Sequence, residues 1–298
     1  MPAPERRTQR LAVLKTYKLY IGGKFPRTES GRYKIAKSPT TGEHLANYCH
    51  ASRKDFRDAV VAARKAQPGW AASSAYLKGQ ILYRAAEMLE SRADSFAAEL
   101  SASTGARPKA ARSEIEACVD RLVYYAGWSD KFQQVFGSVN PVASPHFNFS
   151  TPEPTGVVGI FCPDTPSLLG LISLVAPAIV GGNTVVALAS ERFPLPAITL
   201  GELIATSDVP GGVLNLLSGE RAELAPHFAS HMDVDAIVDG SGDPGTATTF
   251  REGSANNLKR ISVRALKAPE DWFQDEAQDP YRILDTIEVK TAWHPIGV

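Results

Sequence analysis

Thr155-Gly156-Val157-Val158-Gly159-Ile160-Phe161-Cys162-Pro163, followed beyond Ser167–Val180 by Gly182-Asn183-Thr184-Val185-Val186-Ala187-Leu188-Ala189, is the stretch that decides the fold. Two short valine-rich runs flank one longer apolar run. Continuous rather than alternating apolar residues predict strands covered on both faces. The order strand, helix, strand predicts parallel neighbours joined by a right-handed crossover. The same texture continues downstream, with a helix over 195–206 and further strands over 213–218, 236–238 and 261–265. Residues 155–266 are therefore expected to form a doubly wound α/β unit with a parallel sheet of about five strands. Ligands of such sheets sit outside the carboxyl ends of the strands.

Upstream, residues 52–136 follow a helical period. Ser52 and Asp55 make a capping-box start, with Phe56, Ala59, Val60 and Ala63 on one face. Ile81, Leu82, Ala85 and Leu89 mark a second helix, and a third runs to Thr104 before Gly105 and Pro108. Ile115, Cys118, Leu122, Tyr125 and Ala126 form the stripe of a fourth, where Cys118 reads as core. Residues 1–137 are thus taken as a helical layer. Pro141, Pro145, Pro152 and Pro154 make 138–154 an extended ribbon. Residues 267–298 begin as a charged linker and end in Ile287-Glu288-Val289-Lys290-Thr291-Ala292-Trp293, a period-2 strand with one apolar face.

Composition narrows the function classes. Lys plus Arg equals Asp plus Glu at 32 each in 298 residues, which argues against nucleic acid or anionic membrane as a partner. The N-terminal Arg6, Arg7, Arg10, Lys15 and Lys18 read as a solvated, frayed terminus. Cys49, Cys118 and Cys162 are too few and scattered for a disulfide framework. Neither Cys-x-x-Cys nor His-Glu-x-x-His occurs, so no metal ligand set is expected. No secretory signal opens the chain, and Ser167–Val180 is too short to span a bilayer; a cytoplasmic protein is expected.

Several short motifs then fall in one order. They are Leu19-Tyr20-Ile21-Gly22-Gly23-Lys24-Phe25, Ser38-Pro39-Thr40-Thr41-Gly42-Glu43, Pro68-Gly69-Trp70 and Tyr124-Tyr125-Ala126-Gly127-Trp128, then Glu153 to Gly159, Gly182 to Val186, and Ser230 to Asp235 with Gly240-Ser241. In that order and spacing the chain resembles the aldehyde dehydrogenase superfamily over nearly its whole length. Its nearest likeness within it is the non-catalytic C-terminal half of the family 16 enzymes. The resemblance implies a Rossmann-like cofactor domain, an opening strand over 19–25, a first helix closed by Pro68-Gly69-Trp70, an oligomerisation ribbon over 138–154, and a C-terminal oligomerisation strand. It implies cofactor contacts at Pro163, Thr165, Glu191, Gly240, Ser241 and Gly245.

The resemblance also implies chemistry: a cysteine nucleophile, an oxyanion asparagine, a glutamate base and a nicotinamide cofactor. The matching positions depart from it. Thr165 stands at the oxyanion asparagine, beside Asp164. Leu188 stands at a cofactor-binding lysine. Asp239 and Asp243 put carboxylates beside a pyrophosphate loop, although Asp243-Pro244 is also a good helix start. Arg264 stands at the general base, and an arginine cannot deprotonate water at neutral pH. After Ala268 the family continues into a catalytic domain, whereas 30 residues follow here, none a cysteine. Cys162 has no neighbouring cation in sequence to make it a thiolate. The catalytic domain is expected to be absent and no catalytic residue is assigned. The expected function is a structural or regulatory pseudoenzyme that associates with its own copies or with a full-length paralogue. NAD or NADP is a possible but weak ligand. The alternatives are an oxidoreductase completed by residues of a partner chain and a nucleotide-binding sensor.

Overall fold

A computed structural model describes residues 13–297; Arg6, Arg7 and Arg10 of the basic N-terminal stretch lie outside the described residues. In chain order the elements are β1 Thr16–Tyr17, β2 Tyr33–Lys37, β3 His44–Cys49, α1 Arg53–Ala72, α2 Ala75–Ser91, α3 Ala93–Thr104, α4 Pro108–Trp128 and α5 Phe132–Phe136. Then come β4 Ser138–Asn140, β5 His146–Pro154, β6 Val157–Phe161, α6 Ser167–Val180, β7 Thr184–Leu188, α7 Leu195–Ile204 and β8 Leu214–Leu217. The remainder are α8 Arg221–Ser230, β9 Ala236–Asp239, α9 Pro244–Ser254, β10 Arg260–Val263, two 3-10 turns (Pro269–Phe273, Asp275–Gln278), α10 Tyr281–Leu284 and β11 Ile287–Pro295.

The central sheet has five parallel strands in the order β10-β9-β6-β7-β8. Every residue of β6, β7, β8 and β9 is buried, as continuous apolar runs demand. From β6 the chain winds one way through β7 and β8, then crosses back to β9 and β10. The switch point between β6 and β9 is where such a sheet places a ligand. Helix α6 is buried along its whole length, which explains why it reads as apolar all round. Among the described residues no helix is long and apolar enough to cross a membrane.

The capping box at Ser52 is formed on both sides: Asp55 N–H donates to Ser52 Oγ, and Ser52 N–H donates to Asp55 Oδ2 at 2.7 Å. Gly105 ends α3 in the left-handed region at φ 77°, and Pro108 begins α4. Three expectations for the N-terminal part change. Residues 19–25 form a tight hairpin rather than one strand: Tyr20 pairs antiparallel with Leu216 of β8, and Ile21 and Lys24 are bridged across Gly22 and Gly23 at φ 59° and 78°; two glycines in the left-handed region turn the chain where one strand would need it extended. Pro68 lies inside α1, whose last turn is held because Trp70 is buried and its Nε1–H donates to Ile179 O at 2.8 Å. The layer is also not all helical, since β1, β3 and β2 form a small sheet.

The stretch 267–286 is not an open linker. Trp272, Ala277, Arg282, Ile283 and Thr286 are buried. Arg121 on α4, itself 3% exposed, donates to Ser173 Oγ, to Trp272 O and to Ala277 O. Asn183 Nδ2 donates to Thr286 O at 2.8 Å. Strand β11 then pairs antiparallel with β5, from Ile287 opposite Pro154 to Pro295 opposite His146. Only Ile287 of β11 is buried; the remaining eight residues are exposed on both faces.

Candidate functional site

The segment after β6 brings Cys162, Pro163 and Asp164 to the carboxyl ends of the central strands. Pro163 is buried against α6, where Gly170 leaves it room: a Cβ there would lie 2.2 Å from Pro163 Cγ. Thr165 is exposed. Asp164 is drawn into a dense polar cluster. Its carboxylate faces the Arg221 guanidinium at 2.7 Å (Nη2 to Oδ1) and 3.0 Å (Nη1 to Oδ2). It also accepts from Glu191 N–H at 3.0 Å, Arg192 N–H at 3.2 Å and Ser190 Oγ at 3.2 Å. Arg221 Nη2 further donates to Cys162 O at 2.9 Å. Burial alone would raise the Asp164 carboxyl, but the Arg221 guanidinium outweighs it and holds the group below the usual carboxylate range.

Glu191, expected as a cofactor contact, accepts from the backbone N–H of Arg221 at 2.9 Å. That N–H is one of the unsatisfied donors of the first turn of α8. Glu191 and Asp164 thus bind helix and guanidinium together across the ends of β6 and β7. The Arg221–Asp164 pair is a forked, charge-assisted contact, and its side chains are 11% and 26% exposed.

At the switch point, Gly240 N–H donates to Phe161 O at 2.9 Å. A Cβ on Gly240 would meet Leu174 Cδ1 at 2.6 Å and Trp272 Cη2 at 3.5 Å. The indole of Trp272 therefore packs where a ligand of this fold would approach, and it is 1% exposed. Asp239 Oδ1 accepts from Ser241 N–H at 2.9 Å and Ser241 Oγ at 2.6 Å. Asp243 caps α9, accepting from Thr246 N–H at 2.8 Å and Thr246 Oγ1 at 2.6 Å. Those bonds hold the Asp243 carboxyl below its ordinary range. The helix end that would face a phosphate already carries an anion of its own. Gly245 is exposed in that first turn. Of the six expected contact residues, Pro163, Glu191, Gly240 and Ser241 line this crowded rim, and Thr165 and Gly245 lie exposed at its outside.

Arg264, at the end of β10, is tied to the tail. Its Nε and Nη2 each lie 2.6 Å from an oxygen of Asp285, and its N–H donates to Asp239 O at 2.7 Å. Arg221, Trp272 and Asp285 were not singled out from the sequence. A lone tryptophan inside the charged stretch Pro269-Glu270-Asp271-Trp272-Phe273-Gln274-Asp275 is the signal that would have found the second; nothing local marks the other two. The open grooves on the described surface include one between the start of α1 and the end of α8, lined by Phe56, His231 and Met232, and another between α2 and α4, lined by Tyr83 and Val123.

The Cys162 thiol is fully buried, and burial pushes it up to about 12 even though Arg221 pulls the other way. Burial raises the Cys118 thiol as well. Neither is a thiolate at neutral pH, so Ellman's reagent should label Cys118 and Cys162 in the native chain only as fast as it unfolds. The same shifts set an alkaline limit. An unfolded thiol ionises near ~8.5. The stabilisation from keeping these thiols neutral is complete below that pH and is lost as pH climbs toward the folded value. Lys259, buried and pushed down to about 8, acts in the opposite sense. Urea titrations at pH 7 and 10 should therefore compare the chain with Cys162→Ala. The variant should lose less stability over that interval; an identical loss in both would show that the thiol ionises as freely in the native state as in the unfolded one.

The family model described as "Aldehyde dehydrogenase family" matches residues 27–265. Human retinal dehydrogenase 2 is 33% identical over 273 residues, covering 89% of this chain and 52% of that protein. An aldehyde dehydrogenase of Davidiella tassiana is 31% identical over 259 residues, covering 86% and 52%. Among solved structures, the NAD+ complex of an aldehyde dehydrogenase from Bacillus cereus superposes with a TM-score of 0.80 at 27% identity, over 84% of this chain and 51% of that one. The chain spans about half the length of the curated relatives it matches.

Proposed function

Because the chain belongs to the aldehyde dehydrogenase family, we propose that it serves that family as a non-catalytic structural or regulatory subunit, associating with its own copies or with complete dehydrogenase protomers. The observation that carries the proposal is the Asp164–Arg221 pair. It lies across the ends of β6 and β7 and, through the Arg221 N–H, engages Glu191, the one charged residue among the expected cofactor contacts. Trp272 packed on Gly240 and the Asp243 cap on α9 add to it. Leu188 offers no ammonium to a ribose or phosphate. These features argue against tight binding of NAD or NADP, since removing one charge-assisted contact alone weakens binding by about one to two decades.

Calorimetric titration with NAD and NADP is expected to show weak binding or none. A low-micromolar dissociation constant would favour a nucleotide-binding sensor instead. Aldehyde oxidation, assayed with both cofactors on short aliphatic, long aliphatic and aromatic aldehydes, should not exceed a heat-killed control. With Arg264 paired to Asp285, Thr165 exposed and the Cys162 thiol buried, little transition-state stabilisation is available. Turnover lost on Cys162→Ala would overturn the proposal. Turnover that arises only on mixing with a complete dehydrogenase inactivated at its own nucleophile would support an oxidoreductase completed in trans.

A further inference from the structure

His50, distant in sequence, meets Glu220 and Glu223 at the start of α8. His50 follows β3, Glu220 is the N-cap of α8, and Glu223 lies in its first turn. One potential ligand atom from each lies within 4.8 Å of the others. His50 is 8% exposed, and its Nε2 is buried with no hydrogen-bond partner. That nitrogen points at Glu223 Oε2, 3.3 Å away. A buried ring nitrogen set against a carboxylate without a hydrogen bond is costly. A cation between the two atoms would give the imidazole nitrogen the partner it lacks, in competition with Arg32 Nη1, which donates to Glu223 Oε2 at 3.1 Å. Two ligands placed ~2.0–2.1 Å from a tetrahedral zinc ion stand ~3.4 Å apart, so His50 and Glu223 already have the required spacing.

We propose that His50, Glu220 and Glu223 form a binding site for a divalent transition ion of the zinc class. One imidazole and two carboxylates balance a double positive charge, and the imidazole favours zinc over magnesium. Two protein cations hold the carboxylates in this structure. Lys34 pairs with Glu220, and Arg32 pairs with Glu223 at 2.6 Å. Both sit on long side chains that are more than a third exposed, and the metal would have to displace the Lys34 contact and the Arg32 fork, whose Nη2 also donates to Ala51 O at 3.2 Å. The ion would lock the end of β3 to the first turn of α8, next to the backbone that presents Arg221 to Asp164.

The test is calorimetric titration of the full chain with zinc chloride in a non-chelating buffer, with magnesium chloride as control. The expected result is one zinc bound per chain and no comparable magnesium signal. His50→Gln and Glu223→Gln should each weaken binding by about tenfold or more. Lys34→Gln should tighten it several-fold, because it removes a competing cation; a merely structural ion-pair network predicts no gain. Circular dichroism establishes that each variant is folded, and Glu220→Gln, at a half-buried position, replaces any variant that is not. Failure of both the wild-type chain and Lys34→Gln to bind zinc below about 1 mM, or binding that survives His50→Gln unchanged, overturns the assignment.

Discussion

Replacing Trp272 by alanine is expected to cost the native state about 3–5 kcal/mol, as for large aromatic residues removed from a packed core. The indole is 1% exposed, lies against Gly240, and carries the Arg282 guanidinium 5.7 Å from its ring centre. Its carbonyl receives Arg121 Nη2 at 2.9 Å. The backbone contact survives the substitution, so the loss is one of packing: a void opens at the ends of β6 and β9, walled by Leu174 and Gly240. Trp272→Phe keeps a ring there and should cost distinctly less. Urea unfolding followed by far-ultraviolet circular dichroism measures both. A loss below about 1 kcal/mol for Trp272→Ala would mean that the tail does not dock on the sheet in solution. The enlarged crevice should still take up no NAD, because the Asp164–Arg221 pair lies across the neighbouring strand ends.

The same residue marks a limit of sequence reading. The strands β6 to β9 are legible because each buries both faces, and that environment selects continuous apolar runs. Helix α1 is legible at its start because Ser52 and Asp55 satisfy each other within one turn. Strands β2 and β3 are not. Tyr33–Lys37 alternates only between exposed and half-buried, with lysine at both exposed and partner-bound positions. Its stability comes from pairing with β3 and from Lys34 reaching Glu220, neither visible in a local window. The site divides likewise. Asp164 and Arg264 stand out as departures from the family's pattern. Asp164 suggests a repelling charge in sequence and is a paired one in the fold, because its partner Arg221 arrives from the start of another crossover, the one between β8 and β9. Arg264 is recognisable as unfit to be a base, but its role in holding the tail depends on Asp285, which only the folded return of 267–286 brings near.

Removing residues 289–298 is expected to reduce the mass of the assembly measured by light scattering, while leaving the protomer folded. The cut is placed after Glu288 because Arg282, Ile283, Thr286 and Ile287 belong to the core. A longer deletion would unfold the chain and say nothing about association. What is removed is almost all surface. Val289 is 55% exposed, Trp293 59% and Ile296 53%, and Val139 and Phe147 on the paired strands are 67% and 44% exposed. One edge of β11 is taken by β5, with Lys290 paired to Glu153 at 2.7 Å. In the sheet order β11-β5-β4 its other edge has no neighbour among the described strands. An unpaired edge with apolar side chains beside it is a template for another strand; the register puts Val289 and Trp293 on one face of the ribbon and Val139 and Phe147 on the other, so both faces beside that edge carry exposed apolar groups. Within the chain the ribbon is already complete, so internal pairing accounts for the register but not for the exposed tryptophan and valine. A second copy or a complete dehydrogenase protomer that covers them accounts for both. Trp293→Lys is the finer test: it leaves the backbone ladder intact and puts a charge on the apolar face. It should dissociate the assembly as the truncation does. A full-length chain that is monomeric, captures no complete dehydrogenase, and keeps the same mass after either change would remove association from the proposed function.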